Sequence, residues 1–223
     1  MASRSSALRK SSDQRKSTVK KSSAKANPGK LPEWNLADLY SGIDAPEVVG
    51  DLDRMDAECI AFEQDYKGRL GEETAKDGGG AWLAIAVKRY EAIDDLAGRL
   101  GSYAGLVHAG DSVDPAISKF YGDVSERLTA ASVHLLFFAL ELNRVDDAVI
   151  ERAMQTPELG HYRPWIEDLR KDKPYQLEDR VEQLFHEKSV SGYAAWNRMF
   201  DQTISGLRFK VAGRELAIEP TLT

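Results

Sequence analysis

From Val48 onward the apolar residues fall at helical spacing. Val48, Leu52, Met55, Cys59, Phe62 and Tyr66 step alternately by four and three positions, which puts them on one stripe of a helix. Asp44 precedes the run as an N-cap, Pro46 suits its first turn, and Glu47 sits where the helix dipole favours an acid. Gly68 and Gly71 mark its end. Gly78-Gly79-Gly80 then punctuates the chain before a second long helix, from about Ala81 to His108. Trp82, Ile85, Ile93, Leu96, Leu100 and Tyr103 share one broad face of it. Beside that face runs a strip of small residues, Ala97, Gly98, Gly101, Ala104 and Gly105, which predicts close approach by a neighbouring helix. Charged flanks deny Gly101-x-x-x-Gly105 the apolar stretch that a membrane dimerisation motif requires.

Asp114-Pro115 is a cap followed by a first-turn proline. The spacing predicts one helix from there to about Asn143, through Ile117, Tyr121, Val124, Leu128, Ala131, Leu135, Phe138 and Leu142. Its second half, HLLFFALEL, is apolar nearly all round and is expected to be the most buried. Asp146 opens a shorter helix that Pro157 stops, and another begins around Tyr162-Arg163-Pro164-Trp165. After Pro174, Leu177 to Lys188 reads as a helix with Leu177, Val181, Leu184 and Phe185 on one side. Tyr193, Trp196, Met199 and Phe200 define the next. LRFKV and RELAI alternate around Ala212-Gly213, the pattern of a β-hairpin. A lone hairpin is marginal unless something packs on it, so the stop at Pro220-Thr-Leu-Thr carries the expectation that the polypeptide continues. At the other end, LPEWNLADLYSGI mixes Trp34, Leu36, Leu39, Tyr40 and Ile43 with Pro32 and Gly42, and reads as an irregular or short-helical strap pinned by its aromatics.

Charge is unevenly divided. The 223 residues carry a formal net charge of −6, yet residues 1–30 hold nine Lys/Arg against Asp13 alone, a net of +8. The remaining 21 basic and 35 acidic side chains leave the body at −14. A body this acidic is a poor general binder of nucleic acid or anionic membrane. Residues 1–30 are Ser/Lys-rich with little to bury, and are expected to be a disordered, solubilising tail. They lack the apolar core of a secretory signal; a mitochondrial transit peptide and a nucleic-acid tether are the other readings of that composition. One cysteine, Cys59, excludes an internal disulfide framework and Cys-rich zinc modules. No membrane-spanning apolar run is present.

Catalytic patterns are missing. His108, His134, His161 and His186 lie 25 to 27 residues apart. His186-Glu187 begins a zinc-peptidase motif, but Val190 stands where the second imidazole must be to share the helix face. Cys59 lies on an apolar seam and reads as a buried thiol. There is no G-x-S-x-G elbow and no phosphate loop, since Ala-Trp-Leu follows the three glycines. The acid pairs Glu72-Glu73, Asp94-Asp95, Asp146-Asp147 and Glu167-Asp168 read as solvated faces. His134 reads as a satisfied core histidine. No catalytic, metal or substrate-binding residue is assigned.

Two segments resemble the oligoendopeptidase F family, which are thimet-type zinc metallopeptidases. Trp34, Asn35, Leu36, Leu39 and Tyr40 fill a W-D/N-L-x-x-L-Y strap like that family's opening. Tyr162, Trp165, Ile166 and Leu169 precede a block similar to E-K-S-x-x-G-x-x-A-W-x-x-x-F, matched by Glu187, Lys188, Ser189, Gly192, Ala195, Trp196 and Phe200. The resemblance implies a mostly α fold: residues 31–223 as a multi-helix N-terminal lobe with a short C-terminal β-hairpin, behind the disordered tail 1–30. It implies a cytoplasmic enzyme that cleaves short peptides in a channel, with zinc on an H-E-x-x-H helix of a C-terminal catalytic domain. That motif is absent from these residues. The expectation is therefore a lobe truncated before its catalytic domain, inactive alone and binding no zinc itself, with no nucleic-acid or membrane partner for its body. The alternative is a non-catalytic helical binding or scaffold protein derived from such a lobe.

Overall fold

The first seam is realised as α1 (Pro46–Tyr66), and its six stripe residues are the ones that the helix buries. A computed structural model describes residues 34–222, with the body beginning at Asn35. After α1 come α2 (Leu70–Ala75), α3 (Gly79–Gly110) and α4 (Pro115–Ser132). A 3-10 turn, Val133–Leu135, leads into α5 (Leu136–Arg144). Phe62 is the hub: its ring centroid lies 4.7 Å from Tyr66, 5.1 Å from Phe138, 5.7 Å from Phe137 and 6.0 Å from Tyr90. α1, α3 and α5 are thereby joined through one aromatic cluster, a geometry that adds to simple area burial.

Close packing by glycine occurs at a different place from the predicted strip. A Cβ on Gly80 would lie 2.6 Å from the Ala153 carbonyl oxygen, and one on Gly79 would lie 2.2 Å from that of Thr74. Gly98 and Gly105 face open space, and only Gly101 meets a neighbour, Leu128 Cδ1 at 3.5 Å. The start of α3, rather than its middle, is where backbones come together. Ile85, assigned to the apolar face, is 65% exposed.

The long third helix is broken. Leu135, Phe137, Phe138 and Leu142 are buried as expected, but the tightened turn at Val133–Leu135 separates α4 from α5. Glu141 on α5 reaches back to accept from the backbone N–H of Gly68, at 2.6 Å, satisfying a donor ahead of α2.

Asp114 and Asp146 cap their helices as read, each accepting from two backbone N–H groups. Asp44 does not: the N-cap of α1 is Ala45, without a side-chain bond. Of the strap, Leu36, Leu39 and Ile43 pack partly buried against the core, and of its two aromatics Tyr40 is the one that pins. Its ring meets Tyr103 edge-on at 5.1 Å, Arg99 lies over it at 4.7 Å, and its hydroxyl donates to Asp51 at 2.8 Å. Burial, the Asp51 bond and the Asp51 charge push the Tyr40 phenol up to about 12. Trp34 is 92% exposed and pins nothing that is described. The tail 1–30 lies outside the described residues.

α6 (Asp147–Ala153), α7 (Pro157–Gly160) and α8 (Arg163–Leu169) complete the core through Ile150, Leu159 and Ile166. The Arg170 guanidinium donates to the carbonyls of Leu142 and Val145 and to Asp147, closing the C-terminal end of α5. Beyond Ile166 no described residue is buried. There follow a 3-10 stretch, Arg170–Tyr175, then α9 (Asp179–Ser191), α10 (Tyr193–Gly206), β1 (Phe209–Val211), β2 (Arg214–Leu216) and α11 (Ile218–Leu222). The hairpin is antiparallel with Lys210 opposite Glu215, and positive φ at Ala212 and Gly213 makes the two-residue turn that the sequence announced. Among the described residues no single helix is long and apolar enough to cross a membrane.

Phe138 is fully buried against Phe62 and, at 5.1 Å, the stacked ring of Tyr90. Phe138→Ala should cost about 3–5 kcal/mol. Urea unfolding should report it as a lowered midpoint with an unchanged slope.

Candidate functional site

The chemistry-bearing residues singled out by sequence are dispersed. His108 is buried with its ring stacked on Tyr121 at 4.6 Å. His134 sits at the helix break, only partly buried, with Nδ1 2.5 Å from Glu63 Oε2; it is satisfied, but it is not a core residue. His161 is exposed beside Tyr162. Cys59 is wholly buried, and burial first, then the neighbouring Asp56 and Glu58 charges, pushes its thiol up to about 12, too protonated for a nucleophile. Among the described residues no three His, Cys, Asp or Glu side chains gather as a metal site.

His186 has a different task. Its Nε2 lies 2.8 Å from Ser132 Oγ and 3.3 Å from the Thr129 carbonyl oxygen, so it ties α9 to the end of α4. A carbonyl only accepts, which requires the proton on Nε2. That engagement, with Val190 four residues on, leaves His186-Glu187 unsuited to zinc.

Polar pins are the theme of the whole C-terminal segment. Arg144 on α5 holds Asp179 at the start of α9 through two parallel bonds, one of 3.1 Å. Gln176 donates to the Leu140 carbonyl at 3.2 Å. Between α9 and α10 the chain turns at Gly192, whose N–H donates to the Lys188 carbonyl at 2.8 Å; a Cβ there would sit 2.8 Å from that same oxygen. Ser189 Oγ donates to the His186 carbonyl at 2.7 Å. The Lys188–Gly192 block thus builds an elbow.

What the elbow displays is apolar. Leu184 and Phe185 on α9 and Tyr193, Trp196, Met199 and Phe200 on α10 are all at least half exposed, Trp196 by 66% and Tyr193 by 80%. Sequence spacing identified these as faces of helices but gave no signal that the faces have no cover within the described body. Between α4 and the α9–α10 elbow lies a cavity of about 470 Å³ lined by Glu126, Glu187 and Arg198 among others. Arg198 Nη1 is buried there with no hydrogen-bond partner. A charged donor without an acceptor is costly in a finished interior, so the seam has the character of an incomplete interface.

Comparison with known proteins gives two findings. A family model described as oligopeptidase F, covering an N-terminal region of these peptidases, matches residues 141–209. The crystal structure of oligoendopeptidase-F from Enterococcus faecium superposes with a TM-score of 0.63 at 17% identity, over 77% of this chain and 34% of that one. This likeness establishes the fold, and the chain spans about a third of the length of that structure. No curated protein matched by sequence. The matched segment contains the block from Tyr162 to Phe200 on which the resemblance rested, while the strap around Trp34 lies outside it. The two findings together support an N-terminal region of the oligopeptidase F family.

The pins should be separable from the core. His186→Ala should speed hydrogen exchange in α9 several-fold while leaving α1 and α3 unchanged. The Arg144 bond holds the Asp179 carboxyl below the usual range, against a smaller opposing effect of burial. A carboxyl lowered on folding stabilises only while ionised. Its contribution is full above an aspartate's ordinary value, about 4, and is lost as pH falls through the lower folded value. Protection of α9, corrected for intrinsic rates, should therefore fall before that of α1 on acidification. Asp179→Asn should abolish that difference.

Proposed function

We propose that this chain is the N-terminal helical lobe of an oligoendopeptidase F-type zinc peptidase, forming one wall of a channel for short peptides in the cytoplasm. The carrying observation is a mismatch of boundaries. The family match, residues 141–209, runs straight across the point, Ile166, where the core of this body ends. A family pattern that extends through Trp196 and Phe200 while their rings face outward is accounted for if those rings meet the rest of the enzyme. The aromatic character of these exposed residues suits an interface rather than a solvated surface. The unpaired Arg198 nitrogen in the cavity between α4 and the elbow supports the same reading, because a carboxylate or carbonyl from an adjoining region would complete it.

Among the described residues the donors do not fit the family's zinc, since His186 is engaged by Ser132 and Thr129 and Val190 stands where a second imidazole is needed, so no hydrolytic step is assigned to them. In this reading the metal, the general base and most substrate contacts belong to a catalytic region outside the 223 residues. The lobe's contributions are shape and exclusion. Its strongly acidic balance would disfavour acidic peptides at the channel mouth.

Purified chain, loaded with zinc and offered a pool of short peptides, should cleave none above a chelator-treated control while giving a helical circular dichroism spectrum. Chelator-sensitive cleavage would overturn the reading, and His186→Ala would be the first variant to test. The coding DNA beyond Thr223 offers a second test. An in-frame H-E-x-x-H supports the lobe, whereas a stop codon with no such motif nearby favours a scaffold that has left catalysis behind.

A further inference from the structure

A second surface, independent of the lobe reading, lies where α3 passes the α7–α8 corner. Two cavities follow one another along α3 and share Tyr162 as a common wall. The first, about 500 Å³, is floored by Ala81, Ala84 and Ile85, with Lys88, Glu158 and His161 at its edge. Ile85 is largely exposed there, although it stands at a position that the helical pattern assigns to the core. The second, about 280 Å³, has aromatic walls: Tyr90 and Trp165, with ring centroids 5.9 Å apart, and Tyr162. Its remaining lining includes Glu91, Asp94 and Asp95, three carboxylates on one face of α3 at i, i+3 and i+4.

Like charges at that spacing repel, and Lys88, one turn before Glu91 at the edge of the adjoining cavity, forms no ion pair with them. Among the described residues none of the three forms an ion pair. Arg163, next in sequence to Tyr162, is engaged by Glu151 at 2.9 Å and Glu167 at 3.2 Å. Tyr162 donates its hydroxyl to Glu91 at 2.7 Å, fixing that carboxylate at the cavity wall. Aromatic faces and unpaired carboxylates around one cavity are complementary to an ammonium or guanidinium group on an apolar stem. The adjoining cavity is complementary to an aliphatic side chain.

We propose that this groove docks an extended segment of a partner protein in which an apolar side chain is followed by a lysine or arginine. Ile85 and Glu91 are six residues apart, roughly 9 Å along the helix axis. An extended strand covers that distance in about three residues, so the recognised pattern is apolar-x-x-Lys/Arg.

The test is fluorescence anisotropy on the full 223-residue chain at low salt, using a labelled Leu-Ala-Ala-Arg amide peptide. Saturable binding is expected, weakening as salt is raised. Replacing the arginine by citrulline should weaken it at least tenfold, as should D94N combined with D95N on one side and I85E on the other. Circular dichroism keeps the comparison among folded proteins. Equal binding of the citrulline peptide, or an unchanged affinity in the folded D94N/D95N variant, would overturn the proposal. Free arginine amide distinguishes a docked segment from a simple cation. It should compete at least tenfold more weakly than the peptide, and equal potency would overturn the docking of a segment.

Discussion

Phe62 is the constraint from which the rest of this body is organised. Fully buried on α1, it touches rings from α1, α3 and α5, and Tyr90 extends the same network to Trp165 on α8. Each helix that reaches this cluster is held by apolar burial, the dominant favourable term in folding. Cys59 and Met55 belong to the same seam, which accounts for a thiol kept protonated and inert. The closeness of α3 to its neighbours at Gly79 and Gly80 follows from bringing these rings into contact.

Everything beyond α8 is held by a different kind of force. Arg170, Arg144, Gln176 and His186 make directional bonds to carbonyls, a carboxylate and a hydroxyl, most of them partly exposed. Such bonds specify geometry at modest net gain. A segment fixed by polar pins, with its aromatic residues turned outward, is oriented more strongly than it is stabilised. That is the arrangement needed by a part that must present a face at a defined angle. The glycine elbow at Gly192 and the hairpin turn at Ala212-Gly213 serve the same end, because both set direction without requiring a core.

The helical periodicity of the chain revealed more of the fold than of its surface. The alternation of four and three from Val48 to Tyr66 named the buried residues of α1, and Asp114 and Asp146 announced their helices because capping is chemistry local to a few residues. Readings that depended on distant partners fared worse. The strip from Ala97 to Gly105 had the composition of a close contact, yet whether a backbone arrives there is decided by helices many residues away, and it arrives at Gly80 instead. Trp34 and Tyr40 looked equivalent as pins; only Tyr40 has Tyr103, Arg99 and Asp51 around it. Trp196 and Ile85 were legible as members of an apolar face, but a pattern of residues states what would gain by burial and is silent on what covers it. The zinc-helix pattern is likewise local, since a ligand pair on one helix is a fixed spacing and Val190 occupies its second place.

Two exposed surfaces therefore differ in what they ask of a partner. The α9–α10 elbow offers aromatic area and one unpaired guanidinium nitrogen, and its demand is for extensive apolar cover with an acceptor. The α3 groove is small, bounded by rings and carboxylates, and its demand is for one cation and one aliphatic group. Salt separates them physically. Screening over about 8–10 Å weakens the second and leaves the first nearly untouched, so ionic strength distinguishes occupancy of one surface from occupancy of the other. The acidic balance of the body reinforces the second demand: it disfavours acidic partners at the α3 groove, while the elbow selects chiefly by apolar shape.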